Sequence, residues 1–441
     1  MSQHPIQRRQ PISRREFLRR AGATGIALPS MAAILAACKS SNEPTTGGTG
    51  TGAGNPFGTG GVAGAAYPLP RADAPVTWNI PSDNQPIASG LPPETGATLK
   101  IFNWPYYLKP KIMKDFGEKY GCTVQLTKYP DMAPGFEKIR SGQVDFDLIF
   151  GHTTDYVGKF VAGGFFRPLN HDYLPNFTAN VWDQFKSPFY DSGARYTVPY
   201  NVYTTGIFWR NDLFQADIAG MDNPYDIFWN GAPKDKTHLL NNAREPLAMA
   251  MLRKGITDIN TGDPTVVQQA HDDILEVVKA VNPKWDHTDY TELPKGQAWL
   301  HQSWSGNATD TYVFFLQPGQ TADILSYVWP PAVNPSIPGM VANDLISVLS
   351  AGKNPVLAHM FINEIYDPKV SLDNFATYTG FQPPQKSFTP EKLIADGIVP
   401  PNLASTIVKE EDFAKQYQLF ELAPDVDALW QNAYQQLLAG I

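Results

Sequence analysis

The sequence predicts a mixed α/β fold of two lobes, and three observations carry that expectation. From residue 98 onward, apolar strand-like runs alternate with segments of helical period, the pattern of a mostly parallel sheet clothed by helices. The same theme returns after residue 204, so two α/β bodies can be read along one chain. The length of 441 residues is enough for two or three domains of ordinary size. Periodicity by itself does not say where the chain crosses from one lobe to the other. A content of 42% hydrophobic and 18% charged residues excludes a collagen, a coiled coil and a wholly disordered chain.

Each element has its own signal. An apolar run at 99–103 reads as a buried strand, and 109–120 (KPKIMKDFGEKY) has helical period. A strand at 123–127, a helix at 133–141, a strand at 146–150 (FDLIF) and a helix at 154–162 follow. The later series comprises a strand at 204–209, helices at 245–254 and 265–281, strands at 297–304 and 344–349, and a helix at 356–365. An amphipathic helix at 426–438 ends the pattern. The stretch 258–263 faintly resembles a calcium loop, but a turn in which Asp263 or Thr265 starts the helix after Pro264 is the expectation. In folds of this kind ligands sit at the carboxyl ends of strands, which singles out the loops after Phe102, Phe150, Gln302 and Asp344.

The N-terminus reads as an address. Residues 1–38 hold six arginines and one acid, Glu16, so the rest of the chain is more acidic than the overall net charge of −8. The segment from Ser13 to Arg19 resembles a twin-arginine export motif, with Arg14 and Arg15 as the pair. The weakly apolar run 21–37 ends in Leu35-Ala36-Ala37-Cys38, which resembles a lipobox whose cysteine is lipidated. The expectation is export, followed by lipid anchoring at Cys38 outside the cytoplasmic membrane, in the periplasm or at the cell surface. Two or more acyl chains make such an anchor stable. Residues 39–97 read as a tether, Ser/Thr/Gly-rich to about 66 and Pro-rich from 68 to 95, with the body beginning near Gly96. With Cys38 consumed, Cys122 is expected to be a buried small hydrophobe. No run reaches the roughly 18 apolar residues of a membrane span, and an acidic body argues against nucleic acid.

Motifs for catalysis are missing from the text. There is no G-x-S-x-G elbow, no H-E-x-x-H and no phosphate-cradling loop. The eight histidines never fall at metal-ligand spacing, so no metal and no cofactor are expected, and His301 is read as a structural histidine. What stands out is aromatic residues beside acids at strand ends. Asn103-Trp104-Pro105-Tyr106-Tyr107 follows the first strand, Trp304-Ser305-Gly306-Asn307 follows another, Ala342-Asn343-Asp344 precedes a strand, and Phe381 sits in a loop. Aromatic faces attract cations, and carboxylates accept charge-assisted hydrogen bonds from ammonium groups.

These blocks carry a resemblance. The run from Leu99 to Tyr107, then Phe146 to Phe150, then Val198-Pro199-Tyr200 ahead of Thr205-Gly206-Ile207, resembles a bacterial spermidine/putrescine-binding protein of an ABC importer. Asn242 to Glu245, Trp304 to Asn307, Asn343 to Leu345, Thr379 to Pro384 and Tyr434 to Gly440 continue it in order over about residues 98–441. The resemblance implies a type II periplasmic-binding-protein fold, with mixed sheets, crossover strands and a central ligand cleft. It divides the body into lobe 1 (98–206 with 343–388) and lobe 2 (207–342 with 389–441). It implies no catalysis, a small cationic amine as ligand, and permease and ATPase subunits as partners of a monomer. Carried over by position, Trp104 and Tyr107 are aromatic walls, Trp304 is the platform from the other lobe, and Phe381 stands where the family usually has tyrosine. Glu245 and Asp344 receive amine groups.

Several positions depart from the family pattern. Asn242 replaces an acid and Ala342 a tryptophan, while Asp155 offers a carboxylate in an altered loop after the third strand. Gln418 and Glu421 are alternative counterparts of the family's distal glutamine. A polyamine is the first expectation, another small amine or amino-acid-like solute the second, with a surface sensor and a secreted hydrolase behind them.

Overall fold

The computed structural model describes residues 55–440. Arg14, Arg15 and Cys38, which carry the export and anchoring expectations, lie outside the described residues.

Chain order begins with a short antiparallel ladder of β1 (Gly58–Gly60) and β2 (Val76–Trp78). This ladder corrects the reading of a tether before residue 97: Gly58–Gly60 lies in the Gly-rich stretch expected to bury nothing, and it pairs with Val76–Trp78 of the Pro-rich stretch. Val76 and Trp78 are fully buried among Phe160, Tyr190 and Tyr196, and the Trp78 indole donates to the Tyr190 carbonyl at 2.7 Å. Composition misled here because the Gly- and Pro-rich segments carry widely spaced apolar anchors, Leu69, Val76 and Trp78, that find a hydrophobic face.

The body is one nine-stranded mixed sheet. Its first part holds β3 (Thr98–Asn103), β4 (Thr123–Lys128) and β5 (Leu148–Thr153), all parallel, with β3 between the other two. The long β6 (Val198–Arg210) follows, then β7 (Thr237–Leu240), β8 (Lys284–Asp286), β9 (Leu300–Trp304), β10 (Leu325–Val328) and β11 (Met340–Val348). The order β4-β3-β5-β11-β6-β9-β7-β8, with β10 also on β6, makes β6 and β11 the crossover strands. Thirteen residues at about 3.3 Å each let β6 run some ~43 Å. Its first half pairs with β11, and its second half with β9 and β10. All of its residues are buried.

The two-residue period of each strand sorts side chains onto two faces. Ile101, Phe150 and Ile346 enter one core together with Phe361, while Phe102, Ile149 and Leu345 enter another with Phe160. A third core, with Leu239, Ile274 and Trp430, joins β7 to the helices Glu245–Arg253, Pro264–Val281 and Pro424–Ala439. The segment after residue 389, expected in the second lobe, packs Leu393, Val399, Leu403 and Phe413 into the core that holds Leu99 and Phe361.

Helix boundaries follow their punctuation. Pro110 opens the helix Pro110–Tyr120, and left-handed Gly121 ends it. Asp263 caps Pro264–Val281 by accepting from the Thr265 N–H at 2.8 Å, so 258–263 is the expected turn. Cys122 is half-buried rather than buried, with its thiol pushed up by burial. Asp344, expected at the very start of a strand, lies in the middle of β11, opposite Thr153 of β5 and Asn201 of β6. The ladder shifts register immediately after it, so that Leu345 faces Pro199. A bulge suits Pro199, which has no N–H to give a central strand, and it re-aims the neighbouring side chains.

Candidate ligand-binding site

The middle of the sheet, where β6 and β11 cross between the lobes, gathers most of the expected residues. Asp344 is 4% exposed, and its carboxylate accepts from the Tyr107 hydroxyl at 2.5 Å and the Tyr203 hydroxyl at 3.3 Å. Burial lifts its pKa to about 7, the two phenols pull it down, and the charge of Asp155 adds to the rise. No lysine or arginine pairs with it among the described residues. Asp344 is a buried acid without a countercharge.

Aromatic rings form the surroundings. Tyr107 meets Phe381 at 5.0 Å between centroids, and Phe381 meets Tyr203 edge-on at 5.7 Å. Tyr203 in turn meets Trp304 edge-on at 6.0 Å. The Trp304 indole donates to Glu245 Oε1 at 3.1 Å, while Glu245 Oε2 is buried without a partner. Glu245 begins the helix Glu245–Arg253 and is raised by burial, against hydrogen bonds from Trp304 and Thr205 and the charge of Arg244. Asn242 is turned into the chain, its Oδ1 accepting the N–H groups of Arg244 at 2.7 Å and Glu245 at 3.2 Å. Its carbonyl oxygen is therefore committed to opening this helix.

Trp104 and Tyr107 both close over Gly151, whose φ of +72° belongs to the left-handed region. A Cβ there would lie 2.4 Å from Trp104 Cδ1 and 3.2 Å from Tyr107 Cε1. The Trp104 indole donates to the Gly151 carbonyl at 2.8 Å and packs on Tyr129 at 5.0 Å, so it stands beside the Tyr107 cluster rather than inside it. Asp155 lies half-buried in the 3-10 turn Thr154–Tyr156 after β5, and its charge raises both Asp344 and Glu421. Of the two alternatives for a distal residue, Glu421 is the buried one. It is lifted to about 7 by burial, accepts from the Tyr67 hydroxyl at 2.6 Å, and lies 3.9 Å from Lys159 Nζ. Gln418 is half-buried, and its carbonyl accepts from Asn260.

A model of the bacterial extracellular solute-binding protein family matches residues 111–401, well over half of the chain. The chain belongs to this family. Among its relatives is the spermidine/putrescine-binding periplasmic protein of Salmonella typhimurium, 26% identical over 348 residues that cover 78% of this chain and 92% of the relative. The protein of the same name from Escherichia coli is 25% identical over 346 residues, with the same two shares covered. Solved structures agree on the fold. The Streptococcus pneumoniae spermidine/putrescine ABC transporter substrate-binding protein superposes with a TM-score of 0.63 at 18% identity, covering 78% of this chain and 99% of that one. A Listeria monocytogenes protein described as a putative spermidine/putrescine ABC transporter gives 0.62 at 18% identity, covering 77% and 98%. The fold is the two-lobe, type II arrangement of periplasmic binding proteins.

In this solute-binding protein Tyr203 is a residue that sequence reasoning passed over. Its signal was its place within the long apolar run that becomes β6, at the crossing between the lobes. His287 was also missed; it stacks on Trp304 at 5.3 Å with an interplanar angle of 7°. His301 is fully buried and lies against Asp286, away from any open surface. Sequence spacing offered no metal ligands, yet the fold brings His238, Asp286 and His301 together.

Proposed function

We propose that this solute-binding protein captures a small cationic amine, a diamine or polyamine, between its lobes and delivers it to the permease of an ABC importer. The observation that carries the proposal is Asp344, buried, hydrogen-bonded to Tyr107 and Tyr203 beside Phe381, with no lysine or arginine among the described residues to neutralise it. An ammonium group supplies the missing charge, and aromatic faces contribute about 0.5–2 kcal/mol each when desolvated. Glu245, beyond Trp304, is a second buried acid with one unpartnered oxygen. Asp155 and Glu421 continue the acidic series, which suits a ligand with several amines along one chain. The names of the curated relatives point the same way, as does a Pseudomonas aeruginosa relative named putrescine/agmatine-binding protein.

A zwitterion fits these residues less well, because its carboxylate needs a cation. Arg244 stands beside Glu245, but Nη1 donates to the Phe420 carbonyl and Nη2 to the Ile259 carbonyl and Asn260, with the guanidinium over the Trp430 ring. Lobe 1 is taken as 98–206 with 343–388, joined in its core by the segment from Leu393 to Phe413, and lobe 2 as 207–342 with the rest of the C-terminal stretch to 441, with closure of one on the other as the capture step. In this reading the protein works as a monomer without catalysis or cofactor, exported by the twin-arginine signal and held outside the cytoplasmic membrane by lipid on Cys38. Trp104, Tyr107, Asp155, Asn242, Glu245, Trp304, Asp344 and Phe381 make up the proposed site, with Asn242 acting through the helix that presents Glu245. A thermal-shift panel of putrescine, spermidine, agmatine, amino acids and sugars tests the proposal. The expected outcome is a rise in melting temperature with the di- and polyamines; a rise only with a sugar or an anion overturns it.

A further inference from the structure

Three neighbouring strands, β9, β7 and β8, present His301, His238 and Asp286 to one another. His238 and His301 are register partners on parallel strands; both are 0% exposed, and their rings lie 5.4 Å apart. Asp286 ends β8, with one oxygen 2.8 Å from His238 Nδ1 and the other 3.1 Å from His301 Nε2. His301 Nδ1 faces the Gln302 carbonyl, which can only accept, so Nδ1 carries the hydrogen. Nε2 faces Asp286 Oδ1, so the carboxylate stands between the two imidazoles and draws positive charge, a ring proton or a bound ion, to that side. His238 Nδ1 pairs with Asp286 Oδ2, while the other ring nitrogen, Nε2, is buried without a hydrogen-bond partner. One ligand atom from each of His238, Asp286 and His301 lies within 4.8 Å of the others, close enough for the three to converge on a common ion.

We propose that His238, Asp286 and His301 form a divalent transition-metal site whose two imidazoles and one carboxylate suit Zn²⁺. Donors about 2.0–2.2 Å from a tetrahedral ion are roughly 3.3–3.5 Å apart, so the spacings of 2.8 Å and 3.1 Å, each to a different carboxylate oxygen, open by about 0.2–0.7 Å on binding. Three protein ligands leave a fourth position for water. Asp289, fully buried and held by Ser303 and Asn307, adds a second negative charge near His301 that balances a dication. The site stands apart from the amine site but abuts its wall, because His287, next to Asp286, stacks on Trp304.

Calorimetric titration of untagged, chelator-stripped full-length protein with Zn²⁺ alone, and visible absorption with Co²⁺ alone, test the assignment. The expected results are one Zn²⁺ per chain with a dissociation constant in the micromolar range or below, and d–d bands of an N/O-ligated Co²⁺ ion. Asp286→Asn and His238→Gln should each weaken Zn²⁺ binding at least tenfold. Absence of saturable Zn²⁺ binding and of Co²⁺ bands in the wild-type protein overturns the proposal without reference to any variant. So does Zn²⁺ affinity unchanged in the folded double variant.

Discussion

Asp344 sets the most specific expectation at the scale of single residues. Its folded pKa of about 7 lies well above the ordinary 3.8. In the empty protein the carboxyl is therefore partly protonated near neutrality, and an ammonium ligand stabilises the ionised form. Amine binding should release a proton and tighten as pH rises from about 6 to 8, by about tenfold in all for one coupled proton, most of it below pH 7. Titration at pH 7 in two buffers of different ionisation enthalpy measures that proton directly; identical heats would show that Asp344 is not coupled to the ligand. For the unliganded fold the sign is opposite. A folded pKa above the unfolded value means that the native state holds a proton the unfolded chain has lost, so this contribution falls as pH rises from about 4 through 7. Trp304→Ala removes the indole that joins Tyr203 to Glu245 and should weaken amine binding by about 1–3 kcal/mol. Unchanged calorimetric affinity for every amine in this variant would move the site elsewhere.

Among the elements, β6 and the N-terminal ladder matter most. β6 places Tyr203 at the crossing between lobes because its thirteen residues pair with β11 first and with β9 and β10 afterwards. The register shift beside Pro199 leaves Asp344 opposite Asn201, with its carboxylate within reach of both Tyr107 and Tyr203. The β1–β2 ladder belongs to the folded body, as its packing makes plain. Trp78→Ala should cost about 3–5 kcal/mol, the range for emptying a buried large aromatic site. A urea unfolding curve checks this, and a tether would give no change. Tyr67, carried on the same segment, reaches the buried Glu421 near the other end of the chain. The ladder thereby ties residues before 80 to the C-terminal segment.

At the level of the whole molecule, two lobes joined by crossover strands allow capture by closure, in which ligand binding favours one relative position of the lobes. The export and anchoring readings also belong to this scale. Cys38→Ala should release folded, binding-competent protein from the membrane fraction, and Arg14→Lys with Arg15→Lys should leave it in the cytoplasm. Fractionation with immunodetection follows both, and retention at the membrane after Cys38→Ala would contradict the lipid anchor.

Local pattern made much of this molecule legible. Strand 99–103, the helices at 109–120, 265–281 and 356–365, and the cap at Asp263 were readable because periodicity and capping chemistry act between near neighbours in the chain. Trp304, Tyr107 and Asp344 were readable as candidates because acids and aromatics at strand ends are conspicuous in one dimension, while Glu245, at a helix start, came from the family resemblance. Their convergence was not. Tyr107 and Asp344 are 237 positions apart, and only the antiparallel placement of β11 between β5 and β6 joins them. The same holds for Tyr67 with Glu421, and for His238 with Asp286 and His301, whose spacing in sequence resembles no metal motif. The buried ladder of β1 and β2 escaped notice because burial of Trp78 depends on a surface built from residues more than a hundred positions away. Short-range rules decide which elements form. Long-range pairing decides which side chains share a dry, low-dielectric space, and so which acids lack a partner.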